Sequence, residues 1–277
     1  MEIINKSDVF KHNSSAWDRE VSSGNPWTRP VSSEEVAKAR RGEFCLILTP
    51  TKPVPDAWLL PVRGRDILCL ASGGGQQGPL LAAAGARVTV LDSSPKQLDQ
   101  DRMVAERDGL TLTTCLGDMR DLGCFADGSF DLIVHPVSNC FIPDVLPVWK
   151  EAFRVLRTEG SLLSGFNNPL LYSFDKQLYE KAIFQLKYPI PYSDLTSIGG
   201  EEQQKLIEQN APLEFGHSLA NQIGGQIDAG FHIAGFYEDV WGNNSAEDKL
   251  YNSFIATRAI KHGVNEGRDG GRCLLSS

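Results

Sequence analysis

The sequence predicts an α/β protein built on a doubly wound, mostly parallel sheet, and three observations predict it. From Arg65 onward, apolar runs of strand length alternate with longer segments of helical period. DILCLAS is a short apolar run bounded by glycines, as a strand covered by helices on both faces should be, and RVTVLDSS and FDLIVHPV read as further strands. The turn after the first run reads ASGGGQQG, rich in glycine where a strand hands over to a helix.

Residues 1–60 read as a lead-in or cap. Ser14-Ser15 resembles an N-cap for a short helix that Gly24 ends, and a second helix is expected from Ser33 to Arg41, stopping at Gly42. Pro50, Pro53 and Pro55 keep the next stretch extended or turning. The main domain is expected over 61–262. GGGQQGPLLAAAG supplies a turn and helix, PKQLDQDRMVAERDG a helix with Pro95 in its first position, and TLTTCLGDMRDL a strand and loop. After the FDLIVHPV strand, VLPVWKEAFRVLRTEG reads as a helix and SLLSGFN as a fifth strand. The pattern then breaks for an insertion at 167–212, aromatic in its first half, which is expected to be helical. LEFGHS reads as a strand, LANQIGGQIDAG as a helix, and FHIAGFYED and NSFIATRAIKH as closing strands. The Gly- and Ser-rich tail, 263–277, is expected to be disordered.

At 277 residues, with 41% hydrophobic and 22% charged positions, the chain can bury a core without a metal or disulfide staple. Its net charge of −8 weighs against nucleic acid or an anionic membrane as partner. No apolar stretch is long enough to span a membrane, and the N-terminus lacks the apolar core of a signal peptide. The six cysteines form no CxxC pair and the five histidines show no ligand spacing, so reduced cysteines, a cytoplasmic location and no metal are expected.

Three motifs carry chemistry. In Leu70-Ala-Ser-Gly-Gly-Gly-Gln-Gln-Gly78 the glycines let the backbone approach a ligand at a helix N-terminus. Read literally, Gly73-x-Gly75-x-x-Gly78 also satisfies the dinucleotide fingerprint. Asp92, ending the second strand, can accept from two ribose hydroxyls and can equally cap the helix that follows. Asp118, after the third strand, can accept from an exocyclic amine or serve a turn. All three groups lie at the carboxyl ends of neighbouring strands, where open α/β sheets bind ligands.

From about residue 65 to 168 the chain resembles the class I S-adenosylmethionine-dependent methyltransferases, and is most similar to their ubiquinone/menaquinone C-methyltransferase-like branch. The motifs are ILCLASGGGQQG, VTVLDSSPKQL, LGDMRDL and FADGSFDLIVHPVSNCFIPD, followed by VWKEAFRVLRTEGSLLSGF; DAGFHIAGFYED and SFIATRAIK resemble the antiparallel pair that ends the fold. The resemblance implies a seven-stranded, Rossmann-like sheet with an antiparallel closing strand, and S-adenosylmethionine as cofactor. It implies that Ala71, Ser72, Gly73 and Gly75 lie beside the methionine part and that Asp92 takes the ribose. Ser93 and Gln97 would lie near the adenine, Asp118 and Met119 would hold it, and His135 would flank the cofactor, with Gly78 in helix packing. One departure stands out: the family opens this motif with an acid, and here that position is Cys69.

Methyl transfer needs positioning and desolvation, and a base only where the nucleophile must lose a proton. His135 and His217 suit that role by pKa and read equally as structural residues, so the sequence assigns no catalytic base. The aromatic lead-in residues Trp17 and Trp27, together with Asn139 and Tyr172, are candidates for substrate contact. The insertion at 167–212 is expected to close with the lead-in as a lid over a small-molecule acceptor. The alternatives are a cofactor-binding protein without transferase activity and a nicotinamide-dependent oxidoreductase.

Overall fold

The structure, a computed structural model, describes residues 8–59, 61–242 and 245–263; the tail expected to be disordered falls, from residue 264 on, outside them. In the lead-in, α1 (Val9–Ser23) starts ahead of the Ser14-Ser15 pair expected to cap it, and ends at Gly24, whose φ of 75° is left-handed. The start differs because Val9, Asn13 and Ala16 form one buried face, while the Ser14 hydroxyl donates to the Ser93 carbonyl (2.7 Å). α2 (Ser33–Arg40) is held by a capping box between Ser32 and Glu35. The proline-rich stretch turns back on itself, with Ile47 bridging Pro53 and a 3-10 turn at Asp56–Trp58, and Leu46, Leu48, Val54 and Trp58 enter the main core there.

The alternating part runs β1 (Asp66–Leu70), α3 (Gln77–Ala83), β2 (Arg87–Asp92), α4 (Pro95–Asp108), β3 (Leu112–Leu116), β4 (Phe130–His135), α5 (Leu146–Val155) and β5 (Leu156–Asn167). The helix expected through Gly160 stops instead at Val155. Leu156 is already extended and pairs with Phe130, and the Lys261 ammonium donates to the Phe153 and Leu156 carbonyls at 2.7 Å each, closing the helix end.

The insertion is only partly helical. It holds a 3-10 turn at Pro169–Ser173, a single turn α6 (Lys176–Tyr179), a short strand β6 (Tyr192–Ser193) and α7 (Gly200–Glu208). β6 pairs antiparallel with β7 (Phe215–Gly216) in a separate two-stranded sheet, so the LEFGHS segment joins the insertion and not the main sheet. A π-helical turn at Ala220–Gly224 leads into α8 (Gly225–Asp228), and β8 (His232–Asp239) and β9 (Phe254–Ile260) close the chain.

The main sheet has seven strands in the order β3-β2-β1-β4-β5-β9-β8, with β9 antiparallel to both neighbours. Side chains alternate between two cores. Leu68, Leu70 and Ile133 pack with Trp149 of α5, while Ile67, Cys69, Val90 and Val134 pack with Leu81 of α3 and Leu98 of α4. The chain runs outward from β1 through β2 to β3 and then crosses back to β4. The strand order therefore reverses between β1 and β4, the place where such sheets open a crevice at their carboxyl ends.

Candidate active site

A cavity of about 470 Å³ occupies that crevice. The turn after β1 forms its floor. Ala71 and Gly74 take positive φ there (47° and 104°), and a side chain on Gly73 would come within 2.7 Å of the Gln97 Cβ and 3.1 Å of the Asp92 carboxylate. Only bare backbone fits between those two residues. Gly75, also at positive φ (72°), faces away from the cavity. Its carbonyl accepts from the Val31 amide (2.9 Å), and a Cβ would sit 2.9 Å from Pro30, so it ties the turn to the lead-in.

Ala71, Ser72 and Gly73 line the cavity together with Asp92, Ser93 and Gln97. The Asp92 carboxylate accepts from the amides of Gly73 (3.0 Å) and Ser94 (2.9 Å). Burial raises its pKa, against the lowering effect of those amides. The Gln97 side-chain oxygen is buried without a hydrogen-bond partner in the protein. Asp118, Met119 and Arg120 form the next wall, with Asp118 held by the Arg120 guanidinium at 2.5 Å. Trp17 and Trp27 of the lead-in also line it.

Other expected residues lie elsewhere. His135 is fully buried, its Nδ1 2.9 Å from the Leu70 carbonyl and its ring edge-on to Trp149. Burial lowers its pKa to about 4, so it is neutral at pH 7. It is Pro136, Val137 and Ser138 that reach the cavity beyond β4. His217 is also buried, with Nε2 3.0 Å from the Asn139 carbonyl and its pKa lowered by burial. Asn139 exchanges two amide hydrogen bonds with Gln222 (3.0 and 3.1 Å), which turns it from the cavity. Tyr172 stacks on Tyr192 and leaves the lining to Asn167 and Leu171. Gly78 stands where a Cβ would meet Val90 at 2.7 Å, a helix-packing position.

Most of the remaining lining escaped the sequence reading, and Glu214, Trp241 and Phe254 are the members that bear on the far end. Glu214 sits beside β7, and Trp241 and Phe254 stand at the ends of the closing strands. Their only sequence signal was polarity or aromaticity next to a strand, which is common in any sheet. Among the described residues no group of three or more His, Cys, Asp or Glu side chains is placed to hold a metal ion.

Residues 68–164 match a protein family described as a methyltransferase domain. The chain is 54% identical over 253 residues to an uncharacterized methyltransferase, YbaJ, of Bacillus subtilis, covering 91% of this chain and 98% of that protein. The chain belongs to the class I S-adenosylmethionine-dependent methyltransferases. Solved structures share the fold. An S-adenosylmethionine-dependent methyltransferase from Mesorhizobium loti superposes with a TM-score of 0.57 at 18% identity, over 74% of this chain and 94% of that one. The 1,6-didemethyltoxoflavin-N1-methyltransferase of Burkholderia thailandensis, solved with S-adenosylhomocysteine, gives 0.57 at 13% identity, over 95% of this chain and 93% of that one.

S-adenosylmethionine is thus the methyltransferase's cofactor, and membership of the family displaces both alternatives, the nicotinamide enzyme and the binding protein without activity. The glycine turn is a cradle that any Cβ at Gly73 would fill, Asp92 stands at its rim, and the unpartnered Gln97 oxygen is buried beside it. These residues fit a nucleoside. Cys69 stands where the family is expected to carry an acid. Cys69 points into the helix-covered core, and the carboxyl of Asp101 on α4 lies close enough to push its thiol pKa up further, beyond what burial does.

Proposed function

We propose that this methyltransferase methylates a small-molecule acceptor, held between the carboxyl ends of β4 and β5 and a lid formed by 167–212 and the lead-in. One observation carries the reading: a single cavity runs from Asp92 and Gln97 at the β1–β2 side to Asn167, Leu171 and Glu214 at the β5 and lid side. Asp92 would accept from both ribose hydroxyls while keeping its two amide donors, since a carboxylate has about four acceptor sites. Gln97 and Ser93 would flank the nucleoside, Asp118 and Met119 the adenine, and Ala71 and Ser72 the methionine part. When bound, the cofactor supplies a methyl group on a sulfonium, ready for in-line displacement. The chain's own contribution is to align the acceptor and to exclude water.

The lead-in is built to take part in closure. Asn13 of α1 donates to the carbonyls of Phe141 (2.7 Å) and Leu213 (3.0 Å) and accepts from the Leu213 amide (2.8 Å). Asp18 accepts from the Ser94 hydroxyl (2.6 Å) and the Lys96 amide (3.0 Å) at the start of α4. One helix therefore bridges the nucleoside side and the lid. We read 1–60 as cap and 61–262 as the catalytic domain. The five described cysteines are free, which supports a reducing, cytoplasmic setting. A ubiquinone biosynthesis O-methyltransferase of Actinobacillus pleuropneumoniae, 28% identical over 186 residues (65% of this chain, 75% of that protein), supports kinship with the quinone branch and does not assign the acceptor.

The test is transfer of isotope-labelled methyl from S-adenosylmethionine into a cell extract separated by size. Label is expected in the low-molecular-weight fraction, and label confined to protein or nucleic acid would overturn the reading.

A further inference from the structure

The β5 and lid end of the cavity is walled by the edge-on pair Trp241–Phe254 at 4.6 Å, beside Asn167, while a second edge-on pair, Trp17–Phe141 at 5.0 Å, lines the cavity from α1. Glu214 lines the cavity as the lid's carboxylate. Its backbone is fixed on the insertion: its amide donates to the Asp194 carboxylate (2.7 Å), and its carbonyl accepts from the Asp194 amide (3.0 Å). The neighbouring cation, Lys176, is committed to the buried Asp194 at 3.1 Å, which the Tyr192 hydroxyl also reaches at 2.6 Å. No salt bridge ties Glu214 to a cation among the described residues. The Tyr172 hydroxyl accepts from the Asn167 amide (2.7 Å) and turns its proton toward Glu214.

Charge around the cavity is one-sided. Four carboxylates line it (Glu20, Asp92, Asp118 and Glu214), against the single guanidinium of Arg120, which is paired with Asp118 at 2.5 Å. An anionic acceptor would meet uncompensated like charge there, whereas a cation is drawn in. Aromatic walls add to that preference, because ring faces attract cations and ring bodies bury apolar groups.

We propose that this end of the cavity is an acceptor subsite for an amine carried on an aromatic or apolar body, with Glu214 pairing with its ammonium and taking its proton. The proposal rests on the methyl-transfer reading above. An ammonium has no lone pair to offer, so one N–H proton passes first to a Glu214 carboxylate oxygen. The freed nitrogen pair forms the new N–C bond as the methyl carbon–sulfur bond breaks, and that bond's electrons stay on sulfur as a neutral thioether. The product is an N-methylammonium, and Glu214 returns its proton to solvent when the lid opens. Burial raises the Glu214 pKa, which makes it the stronger base. The groups facing it are Lys176 of α6, Asp194 beyond β6, Tyr172, and the Cys140 thiol on the loop after β4.

Three matched probes test this on the full chain saturated with S-adenosylhomocysteine: 2-phenylethylamine, 2-phenylethanol and 3-phenylpropionate. Titration calorimetry should show the amine binding at least about tenfold tighter than the alcohol, with the acid weakest. Glu214→Gln should remove that tenfold preference while leaving S-adenosylhomocysteine affinity and the melting temperature unchanged. Equal binding of amine and alcohol in the wild type, or an intact preference in Glu214→Gln, overturns the proposal. So does a variant that loses S-adenosylmethionine affinity instead, since Glu214 would then serve the cofactor's own ammonium. Failure of S-adenosylhomocysteine to bind the wild type at all would count against the broader reading, and is read in a separate titration.

Discussion

Asp101 sits on α4 with both carboxylate oxygens buried and without a hydrogen bond; the Gly74 and Gly75 amides face it and stabilise its charge only from a distance. Burial pushes its pKa up to about 8. The folded chain therefore holds this proton more tightly than the unfolded chain, whose aspartates titrate near 3.8. The stability contributed by the protonated form is complete below that value and is lost as pH rises through 8. Asp101→Asn should stabilise the protein progressively between pH 4 and 8, by roughly 1–3 kcal/mol at the upper end, in urea unfolding curves. His135 titrates in the opposite sense but is common to both proteins, so a flat difference across that range would contradict the burial argument. Asp92 has a different task. Asp92→Ala should weaken S-adenosylhomocysteine by roughly 2–4 kcal/mol in calorimetry, because two charge-assisted bonds go; a change below about 0.5 kcal/mol in a folded variant would remove it from the site. Asp92 was legible in the sequence because it ends a strand beside a glycine turn. Asp101 was not, because a charged residue in a polar helix reads as solvated until packing shows that Cys69 and Gly78 back onto it.

Among the elements, α1 touches both the start of α4 and the segment around 209–216, the two sides it is proposed to couple. Asn13→Ala would leave the Phe141 and Leu213 carbonyls and the Leu213 amide without their side-chain partner, and should cost roughly 2–3 kcal/mol. Hydrogen exchange should then quicken around 209–216, and unchanged exchange there would show that α1 does not hold the lid. In the wild type, S-adenosylhomocysteine together with an acceptor should raise protection in both 14–30 and 167–212. Protection confined to 71–78, 92–97 and 118–120 would leave the nucleoside site standing and refute the lid. The strands and helices of the alternating part were readable because each has its own period and its own stop signal, such as Ser94-Pro95 and Gly109 around α4. The start of α1 and the join of α5 to β5 were not, since Val9 and Leu156 owe their conformations to partners far along the chain, Leu213 and Phe130.

For the whole molecule, the strand order matters more than any one motif. The reversal between β1 and β4 puts the turns proposed to hold the nucleoside on one side and the β4–β5 loops on the other, so one crevice has two chemically unlike ends. The first end was written in the local sequence. The second is assembled from α1, the insertion and the closing strands, and no local pattern announces residues as distant as Trp17, Glu214 and Phe254 as neighbours. A crystal structure of the chain with S-adenosylhomocysteine examines both ends together. The ribose hydroxyls should lie on Asp92, the adenine between Gln97 and Met119, and the sulfur should point toward Asn167 and Glu214. A ligand seated with its ribose away from Asp92, or with its sulfur facing solvent outside the lid, would contradict the assignment of the two ends.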